Sequence, residues 1–366
     1  MAKIDTTVLQ IVPQLPGSYD GVGDYALNLA KALSADHGLT TVFAVAKETE
    51  VSSKEGFQVV SGLDSALLSD AEQKYQHVIL HYVNYGYQVR GVPFQLRNFA
   101  RQLRRSLRGR WITMFHELYA SGPPWKSAFW LRPLQVKIAR DVIDISHTCF
   151  VSGDVIENEI HAYDSRKPVH LHPVMSNFGE PQLANFGQRS LARWVICGGT
   201  ALISRSLRSF AAAQQAIPKM YRPEHLDVVG GREDGDLLQD LNRMIPDLSC
   251  HYHPEVTAEC ASEILRGCSF AWIDYFGKGK TWAGMIFKSG SFAACCAHGV
   301  IPILSHIEMA LAVNADPLPG PYFIARGEVK FPEPENVAGT QREIYGWYHR
   351  HASSRQTART YAEALA

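Results

Sequence analysis

The feature that most constrains this chain is a repeated change of hydrophobic period. Short β-branched runs alternate with windows of helical spacing along most of its length. Val8-Leu9-Gln10-Ile11-Val12 reads as a buried strand. A loop from Pro13 to Gly23 follows, and then Val22, Ala26, Leu29 and Leu33 fall on one helical face. Further strands are predicted at Thr41–Ala46, His77–Val83, Trp111–Phe115, Cys149–Ser152 and Val169–Val174. Ser176 to Ser190, with Gly179, Pro181 and Gly187, reads as a linker. The alternation then restarts, with strands predicted at Trp194–Cys197, Leu226–Val229, Leu248–Tyr252, Phe270–Asp274 and Ile301–Leu304. Leu318-Pro319-Gly320-Pro321 is a turn-rich break, and from about Val337 the chain is polar and helical around Ile344, Trp347 and Tyr348.

Strand–helix–strand alternation implies parallel sheets with crossover helices. The predicted class is therefore α/β, with two Rossmann-like doubly wound sheets in series facing each other across a cleft. Such sheets bind ligands at the carboxyl ends of their strands. The expected domains are 1–180, 190–335 and a helical segment 336–366. At 366 residues and 46% hydrophobic content, the chain is large enough for two cores. Lys plus Arg and Asp plus Glu both total 36, so no overall charge attracts a polyanion, and no nucleic-acid partner is expected. The first apolar run is too short for a secretory signal, and no run of about 20 apolar residues spans a bilayer. Seven scattered cysteines, two of them adjacent at Cys295-Cys296, fit neither a disulfide framework nor a zinc site. A cytoplasmic protein is expected. His170-x-His172 and His251-x-His253 lack a third ligand at usable spacing, so no metal is expected.

Three segments carry a resemblance. They are Gly21-Val22-Gly23-Asp24-Tyr25-Ala26-Leu27-Asn28-Leu29-Ala30-Lys31-Ala32-Leu33, then Val229-Gly230-Gly231-Arg232 with the elements up to Asp274, and Gly290 to Pro302, ending Ala297-His298-Gly299-Val300-Ile301-Pro302. In this order they resemble the retaining glycosyltransferases of family 4, whose fold is GT-B. The resemblance implies a transferase that moves a sugar, with retention, from a nucleotide-sugar such as a UDP- or GDP-sugar to a glycan, lipid-linked or small-molecule acceptor. It also implies no cofactor, no metal, and a C-terminal helix that packs back toward the first domain. One departure stands out. The family carries two glutamates eight positions apart ahead of the last glycine; counting back from Gly299, those positions hold Ile286 and Ala294 or their immediate neighbours, and no Glu lies between Glu263 and Glu308. The rival expectations are thus a non-catalytic binding protein of the same fold and another nucleotide-binding Rossmann enzyme. Against a dinucleotide enzyme, no Gly-x-Gly-x-x-Gly follows the first strand.

Candidate site residues follow from helix starts and strand ends. Gly21-Val22-Gly23 precede a helix, where N–H groups and the helix dipole face an anion. Gly198-Gly199-Thr200 open a helix bearing Arg205 and, one turn on, Arg208; the planar arginine fork suits diphosphate oxygens. Gly230 belongs with this donor-side set. Lys288-Ser289-Gly290-Ser291 combine a cation, two hydroxyls and a helix start. Lys278-Gly279-Lys280 just before them read as a polar loop. His116-Glu117 end the strand Trp111–Phe115; the resemblance gives the histidine a donor-sugar contact, and Glu117 is an alternative acid or base. On the acceptor side stand Tyr25, the strand-end residues Asn84 and Tyr85, and Trp125 in the loop Ala120-Ser121-Gly122-Pro123-Pro124-Trp125. Finally, Arg97, Arg101, Arg104, Arg105 and Arg108 lie opposite an apolar face of Leu96, Ala100, Leu103 and Leu107. This is either a solvated helix face or a peripheral contact with anionic lipid at the inner face of the membrane.

Overall fold

The computed structural model describes residues 6–15, 21–120, 122–183, 186–233, 235, 239, 243–246, 248–276, 283–305, 311–320, 322–325, 328–329 and 331–366. Residues 16–20 of the first glycine-rich loop, Ser121 and the stretch Lys278-Gly279-Lys280 lie outside them. The chain forms two compact units, residues 1–173 with 354–366, and residues 174–353.

The first unit is built on eight strands: β1 (Thr7–Val12), β2 (Thr40–Val45), β3 (Ser53–Lys54), β4 (Phe57–Ser61), β5 (His77–Tyr82), β6 (Trp111–Phe115), β7 (Thr148–Val151) and β8 (Val169–Leu171). Their order across the sheet is β3-β4-β2-β1-β5-β6-β7-β8, parallel throughout except for the β3–β4 pair. Every residue of β6 and β7 is buried, as the continuous apolar runs require of strands covered on both faces. The helices are α1 (Gly21–His37), α2 (Ser65–Lys74), the single turn α3 (Asn84–Tyr87), α4 (Phe94–Ser106), α5 (Ser127–Ile145) and α6 (Asp154–Tyr163). Val22, Ala26, Leu29 and Leu33 of α1 are all buried, as their spacing predicts.

The second unit has strands β9 (Arg193–Cys197), β10 (His225–Val229), β11 (Ser249–His253), β12 (Phe270–Ile273), β13 (Ile301–Leu304), a small hairpin β14 (Ala312–Val313) and β15 (Asp316–Pro317), then β16 (Tyr322–Ala325) and β17 (Glu328–Val329). The sheet runs β11-β10-β9-β12-β13-β16-β17, with only the last pair antiparallel. Its helices include α7 (Thr200–Ala213), α8 (Ala258–Gly267), α9 (Gly290–Ala297) and α10 (Val337–His351). The last helix, α11 (Ser354–Leu365), belongs to the first unit. There Tyr361, fully buried, stacks on Phe150 with centroids 3.9 Å apart.

The division falls at Pro173, ahead of the segment read as a linker. That segment is fastened within the second unit: the Val174 N–H donates to Phe287 O at 2.9 Å and Ser176 N–H to the Tyr348 hydroxyl at 2.8 Å. Arg189 donates to the carbonyls of Cys268, His298 and Gly299. Polar, glycine-containing composition marked an irregular stretch, but the Ser176 N–H and the Arg189 side chain fasten it near both ends.

Both sheets reverse strand order once near their middle, between β1 and β5 in the first unit and between β9 and β12 in the second. The carboxyl ends of the strands at such switch points are where doubly wound sheets hold ligands.

Candidate functional site

In the second unit the switch point gathers the predicted glycines. Gly198 follows β9 with φ +146°, and a Cβ there would lie 2.8 Å from Leu202 Cδ2 and 2.9 Å from Ser291 Oγ. Gly230 follows β10 with φ +96°, and a Cβ would meet the Gly198 carbonyl oxygen at 2.6 Å. Only glycine allows three segments to approach this closely. The contact with Ser291 matters most, because it sets the start of α9 beside the start of α7. Gly199 caps α7, and Ser289, buried, caps α9 by accepting from Phe292 N–H at 3.3 Å. Each helix start leaves about four N–H groups outside its own ladder, with a positive dipole end. Two of these starts side by side, lined by glycine and hydroxyls, form a cradle for an anion.

The cations take different parts. Arg205 donates through Nε to Asp274 O at 2.5 Å and through Nη2 to Tyr275 O at 2.8 Å, so it holds the chain just beyond β12 with two of its donors. Arg208 is exposed and donates to Ser204 O of its own helix. Lys288 is half-buried, immediately before the Ser289 cap. Ile286 and Ala294, at the places where the resemblance puts glutamates, are both fully buried apolar side chains. His298 is a structural residue: Nδ1 bonds Ala294 O at 2.8 Å and Nε2 the Ser262 hydroxyl at 2.8 Å. Burial draws its pKa down to about 4.

In the first unit a polar chain, buried except at its half-exposed His116 end, crosses four neighbouring strands. Thr41 of β2, Gln10 of β1, His81 of β5 and His116 after β6 are linked in sequence: Gln10 Nε2 to Thr41 Oγ1 at 3.3 Å, Gln10 Oε1 to His81 Nε2 at 2.8 Å, and His81 Nδ1 to His116 Nε2 at 3.4 Å. Gln10 is in register with Ile79, so His81, two residues further along β5, shares its face of the sheet. The Gln10–His81 bond therefore spans the β1–β5 switch point. Burial, reinforced by the His116 charge, holds the His81 imidazole well below its ordinary pKa. Tyr25 of α1 meets both rings edge-on, with centroids 5.8 Å from His81 and 5.4 Å from His116. Its hydroxyl bonds that of Tyr361 at 3.3 Å. Burial raises the pKa of both phenols. Of the predicted acceptor-side residues, then, the structure brings Tyr25 to His116. Sequence reading passed over Gln10 and His81, although a glutamine inside an otherwise apolar strand was the available signal.

The other first-unit candidates stand apart. Gly21 and Val22 open α1, Gly21 exposed and Val22 buried, and Gly23 is buried. Glu117 is exposed. Asn84 is buried and ties its own loop, donating to Gly91 O and accepting from Tyr85 N–H. The Tyr85 hydroxyl accepts from Gln135 Nε2 at 3.2 Å. Trp125 is 81% exposed and lies near Trp130, 71% exposed, at the start of α5. A cavity of about 740 Å³, lined by Ala46, Asp64, Gln88, Phe94, Asn98 and Gln102 among others, contains none of the predicted site residues. The arginine face of α4 is partly engaged: Arg97 and Arg101 pair with Asp141, and Arg104 bonds His147 Nε2 at 2.8 Å. Arg105 and Arg108 are exposed. His253 bonds Asp227 at 2.9 Å and His251 the Ser249 hydroxyl at 3.2 Å. No cluster of three metal-ligating side chains occurs among the described residues. No helix among them is long and apolar enough to cross a membrane.

No family model and no curated protein matches the chain. Solved structures do match it over its full length. An alpha-glucosyltransferase in complex with UDP-glucose and DNA containing an abasic site aligns with 98% of this chain and 99% of its own, at TM-score 0.61 and 12% identity. The fold is that of the GT-B glycosyltransferases. A lipopolysaccharide outer core galactosyltransferase aligns over 98% and 99% at TM-score 0.58 and 9% identity. An E. coli trehalose-6-phosphate structure bound with UDP-2-fluoro glucose gives 98%, 99%, 0.56 and 9%.

These comparisons correct one expectation. Nucleic acid was excluded on equal totals of acidic and basic residues, yet alpha-glucosyltransferases of this fold are in complex with DNA. Net charge sums the whole surface, whereas a phosphate backbone responds to charges within a Debye length of about 8–10 Å. A balanced total therefore says nothing against a local basic surface.

Proposed function

We propose that the chain is a glycosyltransferase that takes a sugar from a nucleoside-diphosphate donor. The observation that carries this reading is the pairing of the α7 and α9 starts around Gly198, Gly230 and Ser291. A departing diphosphate gathers negative charge as the glycosidic bond breaks, and fixed N–H dipoles stabilise that charge without reorganising. Lys288 adds a cation beside the cradle, and Arg205 fixes the strand end next to it. In the first unit, the candidate for a sugar contact by the family resemblance is His116, with Tyr25 packed against its ring. UDP fits the donor reading best, since the fold neighbours are described with UDP, UDP-glucose or UDP-2-fluoro glucose. The proposed acceptor is a glycan, a lipid-linked sugar or a small molecule, and a hydroxylated nucleic-acid base joins that panel because of the DNA complexes of the neighbours. Retention of configuration is proposed from the family resemblance.

Turnover of a panel of UDP- and GDP-sugars, wild type against Lys288→Ala, tests the proposal. Donor consumption that falls at least about 10-fold in the variant is the expected result. A second reading, a binding protein that has kept the fold, is favoured by one observation: Ile286 and Ala294 bury apolar groups where the resemblance expects carboxylates. Nucleotide binding with no turnover of any donor, by either protein, would select it.

A further inference from the structure

The cavity of about 740 Å³ in the first unit lies where α2 and α4 begin. Ala46, just after β2, and Leu63, just after β4, line it, so it opens at the carboxyl ends of the strands. Its volume is that of a small-ligand pocket. Tyr87 joins it to the β1–β5 switch point. This residue lines the cavity, and its hydroxyl lies 3.1 Å from Ile11 O on β1 and 2.9 Å from His81 O on β5.

The first half of α4 supplies the polar wall. Gln95, Asn98 and Gln102 stand at i, i+3 and i+7, within about 60° of helix surface and over about 10 Å of its axis. All three are exposed, and among the described residues their amides bond no other group. An amide both donates and accepts, as a hydroxyl does, so such a row matches a hydroxylated chain without using charge. Phe94, 43% exposed, supplies an apolar ring at the head of the row, and Leu63 and Leu68 add aliphatic surface. The C–H faces of sugar rings pack on surfaces of this kind. Cations are kept away. Arg97 and Arg101 pair with Asp141, Arg104 bonds His147, and no arginine of α4 lines the cavity. Among the described lining residues Asp64 is the one charged side chain, and it caps α2 by accepting from Leu67 N–H at 3.0 Å.

We propose that this cavity holds a neutral glycan, gripped by the Gln95–Asn98–Gln102 row with Phe94 against a sugar ring, and that this glycan is the acceptor. The acceptor role rests on the transferase reading; glycan binding rests on the cavity alone. A DNA backbone or an anionic headgroup requires lining cations, and here it meets a carboxylate instead.

The test is an array of neutral and anionic glycans probed with the full chain. Calorimetric titration of the best-bound neutral oligosaccharide follows, for wild type, Phe94→Ala and Asn98→Ala. Both side chains are exposed, so the variants should melt within a few degrees of wild type. The expected result is binding of a neutral oligosaccharide by the wild type, weakened at least about 5-fold in each variant. A 13-mer DNA duplex, titrated in parallel, should distinguish none of the three proteins. No neutral glycan bound by the wild type, equal glycan affinity in all three, or duplex binding lost in the variants would overturn the proposal. A wild type that binds the glycan as expected but consumes no nucleotide-sugar refutes the transferase reading and leaves the glycan site standing. Sugar transfer with an acceptor KM unchanged in both variants keeps that reading and refutes the acceptor assignment.

Discussion

At the scale of single residues, the glycines and the ion pairs separate structural from functional roles. Gly230 combines φ +96° with a Cβ position 2.6 Å from a backbone oxygen, so neither strain nor clash is relieved by a side-chain rotation. Gly230→Ala is expected to lower unfolding stability by about 1–3 kcal/mol, read by urea denaturation, and to weaken nucleotide binding in the protein that remains folded. Arg97 presents the opposite case. Sequence spacing put it on a cationic face, but Asp141, almost buried, takes its guanidinium. Arg97→Ala should therefore reduce stability by about 1–3 kcal/mol by leaving that carboxylate short of a partner.

At the scale of elements, strands covered on both faces were the most legible part of the sequence. β6 and β13 run Trp111–Phe115 and Ile301–Leu304, as their uninterrupted apolar runs predict. β3, β4, β14 and β15 were not foreseen, because short and half-exposed strands carry little periodicity. The candidate site was legible in part. Helix starts at Gly199 and Ser289 could be read from composition, but their adjacency is a property of sheet order, which no local pattern reports. Gln10 and His81 were absorbed into apolar strands for the same reason: their partners sit 31 and 35 residues away. The α9 element adds a pH dependence. His298 is neutral and hydrogen-bonded in the fold, with a pKa of about 4 against an ordinary value of 6.5. The unfolded chain binds this proton first, so the stability it contributes is complete above about pH 6.5 and is lost as pH falls toward 4, by roughly 3 kcal/mol. His298→Ala should flatten the melting temperature over that interval while lowering it at pH 7.

At the scale of the whole molecule, the last helix completes a unit made by the first 173 residues. Tyr361, fully buried against Phe150 and bonded to Tyr25, ties residues 336 positions apart. Tyr361→Ala is expected to cost about 3–5 kcal/mol, with the loss confined to the first unit in hydrogen-exchange protection. The chain thus depends on its C-terminal residues to support the wall of the His81–His116 pair. On the proposed reading, Gly198, Gly230 and the two helix starts hold the donor phosphates in the second unit. Calorimetric titration with UDP and GDP, wild type against Ser291→Glu, tests this most directly, because the variant sets a negative charge between the starts of α7 and α9. The account predicts saturable nucleotide binding by the wild type, weakened at least about 10-fold in the variant. Equal binding by both proteins, or none by the wild type, would contradict it.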